Sequence, residues 1–253
     1  MKKILVMCLA SFLTLLSFGQ NEVSENQLKS MMSSMMGDVK VEESYSFSKS
    51  IVYETYEINS SGKNKKVNKI EMLFSEGGES FGIKMLEEKG KPVKKMVTIL
   101  LDISADVMIT LMEDKPGEKS GVAIKIPKKG LKLPGMNSEK DEDVTLTKTS
   151  ETRLIKGYTC TKYIGNSKDA SSVSWVADDL DMSFAAVFHD LFKSKSPSFD
   201  KMPEGAMLEA ISTDKDGNKT VMEAVEVNTN TTLTLSTKEY NVMSMGQMMK
   251  GTE

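Results

Sequence analysis

Histidine, cysteine and tryptophan are nearly missing from this chain. Its 253 residues hold one histidine, two cysteines and one tryptophan. Cys8 lies within the first ten residues, so Cys160 is the only cysteine beyond them. A zinc site built from the usual nitrogen and sulfur ligands is therefore nearly excluded. His189 falls on the polar side of a helical pattern, and no nearby serine or cysteine suggests an elbow or a dyad. There is no glycine-rich phosphate loop. Asp214, Asp216 and Asn218 have the order of a calcium loop, but the glycine comes two positions early and Val225 replaces the closing glutamate. A tight hairpin turn is the expectation there. The chain is not expected to be an enzyme, and no metal or cofactor is expected.

Long apolar runs are equally scarce. One, Ile4 to Leu16, follows Lys2 and Lys3 and precedes the small residues Ser17 and Gly19. This is the pattern of a secretory signal cleaved before Gln20, too short for a membrane anchor. Cys8 sits inside the apolar run behind the bulky Met7, which argues against a lipid-modified cysteine. No later stretch approaches 18 uninterrupted apolar residues, so nothing else is expected to span a bilayer. The expected location is the periplasm or the extracellular space. Residues 20–253 are expected to form one domain, a monomer.

Losing the signal leaves 31 basic against 36 acidic residues, a net charge of −5. Lysines are interspersed with acids along the chain, which offers no basic footprint for nucleic acid or anionic headgroups. Cys160 loses its only possible partner with the signal, so the fold must stand on its hydrophobic core.

What is present is mostly strand pattern. From Val39 to Asn59 the period is two, with Tyr45, Phe47, Ile51 and Tyr53 assigned to one face. Gly77-Gly78 marks a hairpin. The runs Met96–Leu101 and Val107–Met112 are apolar on both faces, which predicts sheet positions with both sides covered. Residues 39–126 read as a meander, and Lys128–Asp143 reads as a long exposed loop. Strands resume with Val144–Gly165, Ser171–Asp179 and Ala206–Tyr240.

Two segments have helical spacing. Leu28, Met31, Met32, Met35 and Met36 form one stripe, which predicts a helix over 25–36. Phe184, Val187, Phe188, Leu191 and Phe192 form another over 181–193, with acids 178, 179 and 181 at its positive end. About ten strands with two amphipathic helices predict an α+β fold, an antiparallel sheet with helices packed against one face. The Met-rich tail after Asn241 is expected to make one helical turn or stay loose.

Methionine is the compositional oddity, with eighteen left after the signal. Core filler is the plain reading, since thioethers fit irregular gaps. An adaptable apolar ligand surface is a sharper one. Copper(I) is a third, because MMSSMM and MSMGQMM bring soft ligands close together. Cys160 shares a strand face with Tyr158, while Thr159, Thr161 and Tyr163 share the other, and the thiol is expected to pack as a small hydrophobe.

The stretch from Thr149 to Leu180 resembles an uncharacterised family of secreted bacterial proteins, a domain of unknown function. Its signature is an Ile-x-Gly-Tyr-x-Cys-x-Lys-Tyr strand followed by a tryptophan-bearing strand ending in acids. Ile155, Gly157, Tyr158, Cys160, Lys162, Tyr163, Trp175 and Asp178 stand at those positions. More distantly, such proteins resemble the lipoprotein-carrier (LolA-like) fold. That resemblance implies a strongly curved half-barrel wrapping an apolar hollow closed by helices. Met31, Met35, Phe74, Met85, Met108, Phe184 and Phe188 are then expected to line the hollow. Gly157, Tyr158, Cys160, Tyr163 and Trp175 are expected to be structural. The expected function is non-enzymatic binding of a lipid or other apolar small molecule in the cell envelope. The alternative is a structural or interaction module whose core is filled by its own side chains.

Overall fold

The structure is a computed structural model that describes residues 39–127, 145–168, 170–183, 187 and 203–250. The predicted signal and the helix over 25–36 lie outside them, as does the loop over 128–143. Fifteen strands are described: β1 (Ser44–Phe47), β2 (Lys49–Ile58), β3 (Asn64–Phe74), β4 (Ser80–Glu88), β5 (Lys91–Pro92), β6 (Met96–Asp102), β7 (Val107–Lys115) and β8 (Glu118–Lys125) in the first half. The second half holds β9 (Thr145–Ile155), β10 (Tyr158–Asn166), β11 (Ala170–Ala177), β12 (Ala206–Asp214), β13 (Lys219–Asn228), β14 (Leu233–Ser236) and β15 (Asn241–Ser244). The helix α1 (Met245–Lys250) follows.

Thirteen strands form one sheet in the order β15-β8-β7-β6-β4-β3-β2-β13-β12-β11-β10-β9, with β5 paired to β4. Two meanders, β2–β8 and β9–β13, are joined where β13 pairs with β2. All described pairs are antiparallel except β15 on β8. The meander read from 39–126 is therefore present, beginning at β2.

This overturns the α+β expectation. The described chain is nearly all sheet, and the sheet is not closed into a barrel. Asp181–Ser183 is not helical; of the rest of the predicted second helix only Val187 is described, and it is helical. The acids expected to favour a helix start have other uses: Asp181 accepts from Lys49 Nζ at 3.2 Å, and Asp178 binds the β9–β10 hairpin. Among the described residues, no half-barrel wraps a helix pair. Instead, β1 and β14 form a small two-stranded sheet, and its Tyr45, Phe47, Leu233 and Leu235 belong to a second core with residues of β3, β6, β7 and β8.

The first strand region also departs from its expected pattern. The chain breaks between β1 and β2 at Ser48, whose N–H donates to Phe74 O at 3.0 Å and whose carbonyl accepts from Thr231 N at 2.8 Å. Tyr45 and Phe47 therefore leave the main sheet for the second core, while Ile51 and Tyr53 stay in the first. Alternation alone had placed all four on one face; a one-residue break redirects the chain.

The two-sided prediction for the central strands holds. Ile99, Leu101 and Met108 point into the first core, and Leu100, Val107, Ile109 and Leu111 into the second. Between β6 and β7, the buried Asp102 accepts from Ser104 Oγ at 2.8 Å and Ala105 N at 2.9 Å. Its other oxygen accepts from Tyr45 OH at 3.1 Å, tying the small sheet to the large one. Burial pushes the Tyr45 phenol well above its ordinary range. At the far end α1 is capped reciprocally: Gln247 N donates to Ser244 Oγ at 3.2 Å, and Ser244 N to Gln247 Oε1 at 2.9 Å. Its Met245 closes over the first core.

Candidate functional site

The signature residues meet in the β9–β10–β11 region. Ile155 and Tyr158 are paired across a two-residue turn whose Lys156 and Gly157 both have positive φ, 51° and 87°. That is the backbone a tight hairpin demands, and it explains the glycine. The stretch read as one strand is therefore a hairpin. Beyond the turn, Thr161 and Tyr163 lie on one face and both donate to Asp178 at 3.3 Å. Lys148 Nζ reaches the same carboxylate at 2.8 Å, and this hydrogen bond raises the lysine's pKa.

Cys160 lies on the opposite face, completely buried in the first core. Burial pushes its thiol pKa up, against the pull of Arg153. A thiol held protonated and out of solvent is a poor nucleophile. Among the described residues, no group of three His, Cys, Asp or Glu is placed to hold a metal ion. Asp214 turns inward on its own loop, accepting from Asp216 N and Asn218 N at 2.9 Å each, as the tight-turn reading requires.

The residues expected to line a hollow divide. Phe74 and Met108 are buried in the first core, with Met85 packed at its margin. Phe74 meets Phe81 edge to face at 5.2 Å between centroids. Met31, Met35, Phe184 and Phe188 lie outside the described residues, as does His189.

Sheet register brings together a different set. Ile164 is paired with Val173, Val173 with Ile211, Ile211 with Val221, and Val221 with Tyr56. These five side chains form one apolar row across β10, β11, β12, β13 and β2, and all are part-exposed. Four interstrand spacings make the row about 19 Å long. None of the five belongs to either core. On β2, Tyr56 alternates with Tyr53 of the first core, whereas at the other end of the row Ile164 keeps step with Cys160; the bulge in the β11–β12 pairing beside Trp175 lies between the two ends.

A charged row runs beside it, two residues along each strand. Lys162, Trp175, Glu209, Glu223, Glu54 and Lys69 are paired in succession across the same strands and β3. Arg153 stacks on the Trp175 ring at 4.3 Å and bonds Glu209 at 2.8 Å. Lys69 pairs with Glu54 at 3.4 Å, and Tyr56 OH donates to Glu54 at 2.5 Å. Lys162 pairs with Glu151 at 3.0 Å. Glu223, in the middle, is exposed and makes no ion pair among the described residues. Alternation within each strand was visible in the sequence; that these five strands are neighbours was not.

Residues 55–233 match the family described as a domain of unknown function, DUF4412. The chain belongs to that family. The matched span holds the whole hairpin signature and both rows apart from Glu54. No curated protein matches the chain. Among solved structures, PNGF-II in its P21 and C2 crystal forms is similar at 15% identity, covering 78% and 81% of this chain. The chain spans about a third of PNGF-II (31% and 32%), and the TM-score of 0.40 is too low to carry an argument about function. No helix among the described residues is long and apolar enough to cross a membrane.

Proposed function

We propose that this member of the DUF4412 family is an exported, non-enzymatic binding protein of the cell envelope that holds a lipid or another apolar ligand. The observation that supports it is the row Tyr56, Val221, Ile211, Val173 and Ile164: apolar, part-exposed and outside both cores. A row of this kind gains on the order of 25 cal/mol for each Å² covered, which favours an apolar guest. The binding face thus replaces the internal hollow as the seat of the ligand. The hairpin signature serves it by fixing Lys162 and positioning Trp175 beside the row.

A second reading has its own support. Phe74 and Met108 are packed by the protein's own side chains, which suits a structural or interaction module with a filled interior. Native mass spectrometry of protein purified from the envelope separates the two. The first reading expects a co-purifying apolar molecule that solvent extraction releases, on a chain beginning at Gln20. Ligand-free protein that takes up no added amphiphile favours the second.

A further inference from the structure

We infer that the ligand of the apolar row is a cationic amphiphile, its positive group seated at Glu223 and its apolar part lying across the strands. This inference rests on the apolar-ligand reading and adds the charge of the guest. Glu209, Glu223 and Glu54 are paired in succession across β12, β13 and β2, so neighbouring carboxylates stand about one interstrand spacing apart, ~4.8 Å. Like charges placed directly opposite on adjacent strands repel. The protein relieves the outer two with its own cations: Arg153 on Glu209 and Lys69 on Glu54. Glu223 is left exposed between them, two residues from Val221 in the apolar row. A guest bringing a positive charge to that point removes the remaining repulsion while its chain covers the row.

The other charged groups on this face limit the geometry. Lys162 is held by Glu151, so it does not compete for Glu223. The opposite flank of the row carries Lys219, paired with Thr213 and Ile58. A cation is therefore accommodated on one side of the row only, and a guest with positive charge at both flanks is disfavoured. The N-terminal segment over 20–38 is a poor occupant by charge, since it carries Glu22, Glu25 and Asp38 against Lys29. A negatively charged headgroup meets three glutamates on the acidic flank.

Trp175 is the only tryptophan in the chain; it packs against the first core and is paired with Glu209 of the charged row, so its fluorescence responds to changes beside that row. The test titrates purified mature protein with decyltrimethylammonium, decyl sulfate and decyl maltoside, all below their micellar concentrations. The expected result is binding of the ammonium amphiphile about tenfold tighter than the sulfate, with the preference shrinking as salt is added. Glu223→Gln is expected to remove the preference while leaving the neutral maltoside bound as before. Equal binding of the three, tighter binding of the sulfate, or a preference that survives Glu223→Gln overturns the inference and leaves the apolar-ligand reading standing. Failure of all three to bind overturns both.

Discussion

The two meanders of the one sheet are built to different rules. In β6 and β7 successive side chains enter opposite cores, and Leu100, Leu101, Val107, Met108 and Ile109 are all buried. The small β1–β14 sheet makes this possible by covering the second face. In β10–β13 the corresponding residues are mostly part-exposed, and charged side chains stand beside apolar ones. Strand β9 is more open still, with Leu154 71% exposed. The covered half supplies stability; the open half presents a surface. Removing a side chain from the two halves should therefore give unequal costs.

The largest effect is expected at Leu100, fully buried in the second core. Leu100→Ala should cost about 3 kcal/mol in urea unfolding, within the span of buried leucine truncations. Ile211→Ala in the open half should cost about 1 kcal/mol, because much of the side chain is already wet. Equal losses would mean that the apolar row is as covered as the core. Next comes Asp102→Ala, expected to cost about 2 kcal/mol, since Tyr45 OH, Ser104 Oγ and Ala105 N lose their acceptor in a buried place. Its signature is a small sheet that loosens first, seen as faster amide exchange in β1 and β14 than in β7.

The covered half was the more legible from sequence. The run Met96–Leu101 shows no alternation because from Thr98 onward both faces are buried, and that absence is itself a readable signal. The hairpin signature was legible as residues but not as a turn: Lys156 takes a positive φ that nothing in its identity demands. Break points were illegible for a related reason. Ser48 sits in unbroken strand chemistry, and only the hydrogen bonds to Phe74 and Thr231 send β1 away from the sheet. The binding rows could not be read at all, since they depend on register across five strands, including β-bulges near Trp175 and Ala224. Around Asp181 helical spacing misled only at the start: Asp181–Ser183 is not helical, and Asp181 and Asp178 bind Lys49 and the hairpin, while Val187 farther on is helical.

Cys160 joins the halves, lying in the open meander but buried in the shared first core. Cys160→Ala should cost about 1 kcal/mol, as a small buried group is lost. Thiol labelling of the folded chain should be slow and become fast in denaturant. The raised thiol pKa fixes the sign of a pH effect. Its contribution to stability is intact below the ordinary value of 9.0 and declines as pH rises from there through the folded value. Cys160→Ala should flatten that alkaline decline. Rapid labelling of native protein at neutral pH would remove the packing role.

The smallest expected effect gives the sharpest comparison, because one substitution can be made in both halves. Valine and threonine have nearly the same shape, so Val→Thr tests the surroundings for water with little change in packing. Val107 is buried in the second core, where a new hydroxyl must find a partner among apolar side chains or remain unsatisfied. Val107→Thr should cost about 2 kcal/mol. Val221 lies in the part-exposed row with Ile211 and Tyr56 as neighbours, and its hydroxyl can reach solvent. Val221→Thr should change stability by less than about 0.5 kcal/mol. It should nevertheless weaken decyl maltoside binding several-fold, since a dry guest would cover that hydroxyl. A stability loss at Val221 matching that at Val107 would show that the row is a third core; unchanged amphiphile binding would show that it is ordinary surface.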